Sequence, residues 1–165
     1  MGEKENAIKD LELFIKEGDS TDMAEYEIGR IHFSEKKWPE AEKRFDAAIL
    51  KNTKVSKYYY YKGVCRLADK KMEEAIKQFD KAIELDDKNA YAYNDRASAY
   101  LRLEEYDKSV KDYKKAISVD SKMSFSHNNL GTALRLLDKN NEAIEAYTKA
   151  IGASDDYYVA YNNRG

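Results

Sequence analysis

One set of residues recurs every 34 positions along this 165-residue chain. Small residues mark one phase of the period, and they are Gly29, Gly63, Ala97, Gly131 and Gly165. A second phase carries an aromatic residue, followed three and four residues later by alanine and isoleucine; its aromatic members are Phe45, Phe79, Tyr113 and Tyr147. No insertion or deletion breaks the register from Ala7 onward. A period of this length predicts stacked supersecondary units that share one continuous core.

Within each period the apolar residues are spaced by three and four, as the buried face of an amphipathic helix requires. A polar break such as Asp69-Lys70-Lys71 divides each period into two segments, and Pro39 stands where a second helix begins. We therefore predict that each unit is a helix, a tight turn and a second helix. Full units are expected at 22–55, 56–89, 90–123 and 124–157, with a second helix alone at 4–21 and a first helix alone at 158–165.

The pattern resembles the tetratricopeptide repeat (TPR) over essentially the full length. In the third unit the matching residues are Tyr93, Ala97, Tyr100, Ser109, Tyr113 and Ala116. The resemblance implies an all-α fold, a right-handed superhelical solenoid of antiparallel helix pairs forming a single domain over residues 1–165. The aromatic residue that the family carries at the fourth place of a unit is present as Tyr59, Tyr93 and Tyr161, but Glu25 and His127 replace it elsewhere.

Charge and composition argue against several classes of function. The net charge is −2 and the charges alternate in sign, so the chain lacks the basic block that nucleic acid binding needs. No apolar run approaches the length of a membrane span. Cys65 is the single cysteine, which excludes an internal disulfide and fits a reducing, cytoplasmic compartment.

The sequence carries no pattern that points to catalysis, a metal or another cofactor. His32 and His127 lie at different phases of the repeat, and no cysteine or carboxylate spacing completes a metal site. Cys65 falls at a small, packed position and is interpreted as a buried structural residue. We expect a protein that is not an enzyme and that binds no cofactor.

In the TPR family the first helices line a concave groove, and the resemblance implies that this groove holds an extended peptide segment of a partner. The expected groove residues are Tyr26, Arg30, Lys57, Tyr60, Tyr61, Tyr91, Asn94, Asp95, Arg102, Phe125, Asn128, Asn129, Arg135 and Asn163. Asn129 and Asn163 resemble the asparagine ladder of the O-linked N-acetylglucosamine transferase, because side-chain amides can bond a peptide backbone of any sequence. The alternative is that asparagine is merely tolerated at exposed sites. The lysine, asparagine and arginine clamp that family members use for heat-shock chaperone tails is not matched.

Two other functions remain open from the sequence. Both partial units would expose apolar side chains, so a head-to-tail homo-oligomer is a second hypothesis, with contacts expected at Leu11, Phe14, Tyr158 and Tyr161. The third hypothesis is a targeting or regulatory array of a longer protein, because the sequence stops within an expected helix. The leading prediction is a protein–protein interaction module.

Overall fold

The computed structural model of the chain describes residues 2–18, 21–153 and 158–164. Within those ranges the regular structure consists of ten α-helices and no strand. The helices are α1 (Gly2–Lys16), α2 (Asp22–Ser34), α3 (Trp38–Lys51), α4 (Ser56–Ala68), α5 (Met72–Leu85), α6 (Ala90–Arg102), α7 (Tyr106–Val119), α8 (Ser124–Leu136), α9 (Asn140–Ala153) and α10 (Tyr158–Arg164). The all-α fold expected from the sequence is confirmed.

The first helix of each full pair begins at a 34-residue interval, at Asp22, Ser56, Ala90 and Ser124. Side-chain caps help to set two of these starts. Thr21 Oγ1 accepts a hydrogen bond from the Ala24 amide at 3.2 Å, and Asn89 Oδ1 accepts one from the Ala92 amide at 3.0 Å. Each cap satisfies a backbone donor that has no partner inside its helix.

The two helices of a pair are joined by three residues, and the second of the three has a left-handed backbone. These residues are Lys36, Lys70, Glu104 and Asp138, with φ of 59°, 61°, 60° and 58°. The next residue donates its amide to the carbonyl five residues earlier, as Lys71 does to Arg66 at 2.9 Å. This pattern is a Schellman motif, which ends one helix and reverses the chain so that the next helix runs antiparallel.

The chain forms two compact units, Met1–Leu85 and Asp86–Gly165. Placing all the helix pairs in a single domain stays a prediction. The first unit contains α1 to α5 and has a core rich in aromatic rings. A Cβ atom on Gly29 would lie 2.6 Å from Cε1 of Phe45, and one on Gly63 would lie 2.6 Å from Cε1 of Phe79. The small phase of the period therefore lets an aromatic ring of the second helix lie directly on the backbone of the first.

Glu25 is a buried charge in the first unit, at a place where the family has an aromatic residue. Its side chain is 8% exposed and accepts from Arg44 Nη1 at 3.0 Å and from Lys51 Nζ at 3.1 Å. Arg44 also pairs with Glu12 of α1. Because a buried carboxylate needs such partners, the substitution is accommodated by ion pairs that join α1, α2 and α3.

The second unit contains α6 to α10, and its core is built around two tyrosines. A Cβ atom on Gly131 would lie 2.6 Å from Cε1 of Tyr147. The hydroxyl of Tyr147 lies 3.2 Å from Thr132 Oγ1, and that of Tyr113 lies 2.9 Å from Ser98 Oγ. Burial raises the pKa of Tyr113 to about 12, because ionisation of an enclosed phenol is disfavoured.

Candidate peptide-binding faces

In the first unit the expected groove residues form a contiguous surface on α2 and α4, which we call the aromatic face: Tyr26, Arg30, Lys57, Tyr60 and Tyr61. The Lys57 ammonium lies 4.3 Å from the centre of the Tyr26 ring, and the Arg30 guanidinium lies 5.9 Å from it. The ring centroids of Tyr26 and Tyr61 are 5.8 Å apart, and those of Tyr60 and Tyr61 are 5.2 Å apart. The face therefore combines the half-buried rings of Tyr60 and Tyr61 with two cations held against the buried Tyr26 ring by cation–π attraction.

Tyr26 is the buried member of the aromatic face. It is only 5% exposed, and burial raises the pKa of its hydroxyl well above the usual range. Its ring also lies 5.1 Å from that of Tyr58, whose hydroxyl donates to Asp22 Oδ2 at 2.8 Å. Where the sequence suggested that Tyr26 would touch a peptide, the structure gives it a packing role under Lys57 and Tyr61.

In the second unit the expected asparagines lie on three helices: Asn94 on α6, Asn128 and Asn129 on α8, and Asn163 on α10. We call the surface that they form the amide face. Asn94 is buried; its Oδ1 accepts from Ser126 Oγ at 2.9 Å, and its Nδ2 donates to Asp95 Oδ1 at 2.9 Å. These bonds tie α6 to α8. Ser126 was missed in the sequence, because its phase carries Ala24, Ala92 and Ala160 but also Tyr58, so a hydroxyl there does not stand out.

Asn128 repeats this arrangement one unit later. It is also buried, and its Oδ1 accepts from Asn163 Nδ2 at 2.9 Å. Its own Nδ2 donates to Asn129 Oδ1 at 3.4 Å. Asn129 is half-buried and Asn163 is exposed. The expected ladder thus separates into buried amides, Asn94 and Asn128, which orient their neighbours, and accessible amides, Asn129 and Asn163.

A pair of aromatic rings lies on the same two helices as the amides. Tyr91 of α6 and Phe125 of α8 are stacked, with centroids 6.3 Å apart and an interplanar angle of 24°. Tyr91 is 54% exposed. Phe125 precedes Asn129 by four residues, so the two side chains lie on one side of α8. Arg102 and Arg135 are exposed in the last turns of α6 and α8.

Cys65 and His127, the side chains that could in principle act chemically, are both buried. Burial raises the pKa of the Cys65 thiol to about 12, which disfavours the reactive thiolate. The ring Nε2 of His127 lies 3.2 Å from the Ser121 carbonyl, and burial lowers the pKa of this histidine. Among the described residues no group of three or more His, Cys, Asp or Glu is arranged to hold a metal ion. Nor is any described helix long and apolar enough to cross a membrane.

The residues expected to mediate self-association differ in accessibility. Phe14 of α1 is 41% exposed and Tyr161 of α10 is 48% exposed, whereas Leu11 is half-buried. The side chain of Tyr158 lies outside the part of the chain that the structure describes.

Family models of the tetratricopeptide repeat match residues 2–90, 90–123 and 126–157. The first of these matches spans more than half of the chain. The chain belongs to the tetratricopeptide repeat family. The resemblance seen in the sequence is therefore confirmed, and the helix pairs described above are TPR units. A comparison with curated proteins gives no match.

Solved TPR structures share this fold. A crystal structure of MamA superposes with a TM-score of 0.87 at 20% identity, covering 95% of this chain and 92% of that chain. YrrB, described as a TPR protein with an unusual peptide-binding site, gives a TM-score of 0.83 at 18% identity over 97% and 82%. The first TPR of Spaghetti (RPAP3), bound to the HSP90 peptide SRMEEVD, gives 0.65 at 25% identity over 66% and 86%.

Proposed function

We propose that this protein is a protein–protein interaction module that holds an extended peptide segment of a partner against its first helices. The single observation that carries the proposal is the amide face, where Asn129 and Asn163 are accessible and both are bonded to the buried Asn128. A peptide in extended conformation presents N–H and C=O groups along its length. A carboxamide supplies both a donor and an acceptor for such groups.

Preorganisation is the physical reason that these amides suit a binding role. Asn128 accepts from Asn163 and donates to Asn129, so both accessible side chains are already restrained before a peptide arrives. Restraining a side chain in advance lowers the conformational entropy that binding would otherwise cost. Affinity for a peptide backbone can then be obtained from few hydrogen bonds.

The stacked rings of Tyr91 and Phe125 supply an apolar contact beside the amides. Aromatic rings offer a large contact area with few rotatable bonds. Phe125 and Asn129 are separated by about one helical turn, roughly 5–6 Å. We infer that a peptide bonded to Asn129 places a neighbouring apolar side chain on the ring pair.

The TPR relatives support this proposal in general terms. The first TPR of Spaghetti was solved with a bound peptide, and YrrB is described as having a peptide-binding site. Both share the fold of this chain. A binding role also agrees with the described residues, whose histidines and cysteine lie in packed structural surroundings.

A displayed library of random 12-residue peptides selected on the 165-residue chain tests the function. The selected peptides should bind the amide face, and Asn129→Ala or Asn163→Ala should each weaken them about two- to tenfold, since one hydrogen bond contributes about 0.5–1.5 kcal/mol. Isothermal titration calorimetry measures the affinities. Each substitution also removes a hydrogen-bond partner of the buried Asn128 amide, so we expect the melting temperature to fall slightly, and affinities are compared at a temperature where every variant is folded. Asn94→Ala is unsuitable as a binding probe, because Asn94 is itself buried and would not touch a peptide.

Asn141→Ala is the matched control, because Asn141 is an exposed asparagine at the start of α9, on a second helix of a pair. It should leave the affinity unchanged. If the Asn129 and Asn163 variants bind selected peptides as well as the Asn141 variant does, the amide face is not the binding surface. If no peptide is enriched at all, the proposed function is wrong.

We also propose head-to-tail self-association as a second function, because Phe14 and Tyr161 are both substantially exposed. Aromatic residues are enriched at protein–protein interfaces. Here the partner would be a second copy, with α10 of one molecule meeting α1 of the next.

A further inference from the structure

A cleft of about 270 Å³ opens between α6 and α7 in the second unit. It is lined by Arg96 and Tyr100 of α6 and by Lys108, Lys111 and Asp112 of α7. Arg96 follows Asn94 of the amide face by two residues, which places the two side chains about 200° apart around the helix. The cleft therefore lies on the other side of α6 from the amide face and is a separate feature of the second unit.

The charge that lines this cleft is mostly positive. Asp112 is the only carboxylate among its described lining residues, against three cations. The Asp112 side chain is 7% exposed and both of its oxygens are engaged by Arg96, which donates from Nε to Oδ2 at 2.6 Å and from Nη2 to Oδ1 at 2.8 Å. Because this bidentate pair is neutral as a whole, it does not offset the charge of the two lysines.

The lysines of α7 form a row along one side of the helix. Lys108, Lys111 and Lys115 are all exposed, and their spacing of three and four residues places neighbouring side chains about 5–6 Å apart. Lys108 is paired with Glu105. No carboxylate of the described residues lies within ion-pair distance of Lys111 or Lys115. We call the surface formed by Arg96 and these three lysines the basic face.

The next repeat does not carry this charge. The residues 34 positions after Lys108 and Lys111 are Glu142 and Glu145. They line the corresponding cleft, also of about 270 Å³, together with two lysines, so the formal charges around that cleft cancel. The unbalanced lysines are therefore a property of α7 and are not imposed by the repeat itself.

We propose that the basic face binds a short acidic segment of a partner protein. Two carboxylates of such a segment supply the counter-charges that Lys111 and Lys115 lack, and complementary charge steers and orients association. In an extended segment every second side chain points to the same side, at a spacing of about 6.6–6.8 Å. This spacing is close to that of the lysines along α7, so alternate acidic residues can each meet one lysine.

The carboxylates of the next repeat limit the length of the bound anion. Glu142 and Glu145 are exposed on α9 and would repel an anionic chain that continued beyond α7. They disfavour nucleic acid for the same reason, because its phosphate charges are continuous. The basic face and the amide face use different sides of α6, so this proposal does not depend on peptide binding at the amide face.

The test titrates the ¹⁵N-labelled chain with a peptide of six glutamates whose ends are blocked, and follows the backbone amides by NMR. The amides of α7, residues 106–119, should shift in a saturable manner. A blocked peptide of six glutamines, which has nearly the same shape without the charge, should give no shifts. Raising the ionic strength from about 0.02 M to about 0.5 M should weaken the binding of the glutamate peptide, because salt screens exposed charges.

Lys111→Ala combined with Lys115→Ala should weaken this binding at least about threefold, as expected for the loss of two exposed ion pairs. The matched control combines Lys77→Ala with Lys81→Ala, which removes two lysines at the same phases one repeat earlier, on α5. It should leave the affinity unchanged. Equal weakening in the two double variants overturns the proposal, because the attraction would then be a general effect of charge. Shifts that do not saturate also overturn it, as does binding of single-stranded oligothymidylate to α7 without binding of the glutamate peptide.

Discussion

At the scale of single residues, glycine recurs in the repeat because its backbone lies directly against an aromatic ring of the paired helix. A Cβ atom on Gly63 would lie between 2.6 Å and 3.1 Å from three atoms of the fully buried Phe79 ring. Gly29 and Gly131 have the same relation to Phe45 and Tyr147. Because these rings are enclosed by the core, they cannot easily move aside.

We expect Gly63→Leu to lower the free energy of unfolding by about 1–3 kcal/mol, because overpacking a filled core forces side chains and backbone to shift. Lys77→Leu, at an exposed position of α5, should change it by less than about 0.5 kcal/mol. Urea denaturation followed by circular dichroism measures both variants. Equal midpoints would mean that Gly63 does not lie against a closely packed ring.

At the scale of elements, the turns between paired helices are uniform in backbone but not in sequence. All four left-handed positions are occupied by charged residues with a Cβ atom, namely Lys36, Lys70, Glu104 and Asp138. A left-handed conformation costs an L-residue roughly 1–2 kcal/mol, whereas glycine adopts it freely. Each of these turns is therefore less stable than it would be with glycine at the left-handed position.

Lys70→Gly should raise the free energy of unfolding by about 0.5–1 kcal/mol, the relief of the left-handed conformation less the greater flexibility of glycine in the unfolded chain. Thermal and urea denaturation measure the change. Lys77→Gly is the control, since the same substitution inside α5 should destabilise by about 1 kcal/mol. A destabilised Lys70→Gly variant would show that the lysine side chain contributes more than the strain removes.

At the scale of the whole molecule, the exposed apolar side chains on α1 and α10 are relevant to self-association. Leu13 is 55% exposed, Phe14 41% and Tyr161 48%. α1 packs on α2, and α10 packs on α8 and α9, so each helix is covered on one side by its own unit. These exposed side chains are the basis of the head-to-tail hypothesis.

We expect the protein to associate as its concentration rises, and we expect Tyr161→Glu to shift the equilibrium towards monomer by placing a charge in the contact. Light scattering coupled to size-exclusion chromatography, over a wide range of concentrations, measures the mass. Leu50→Glu is the control, because Leu50 is 86% exposed on α3 and lies outside the proposed contact. A monomer at every concentration would contradict the head-to-tail hypothesis.

The sequence by itself determined the helices, their pairing and the family of this protein. The 34-residue period specifies where small residues recur, and helices begin at Asp22, Ser56, Ala90 and Ser124 in the structure. These features depend on residue spacing along one chain, which periodicity reports directly. The departures from the family pattern at Glu25 and His127 were visible as well, but not their consequences.

Tertiary structure alone decided which of the expected groove residues are accessible. Asn94 and Asn129 have the same chemistry in the sequence, yet Asn94 is buried and bonded to Ser126, which is 32 residues away, whereas Asn129 is half-buried. Burial depends on which side chains neighbouring helices bring to one point in space, and a residue's own phase in the repeat does not contain that information.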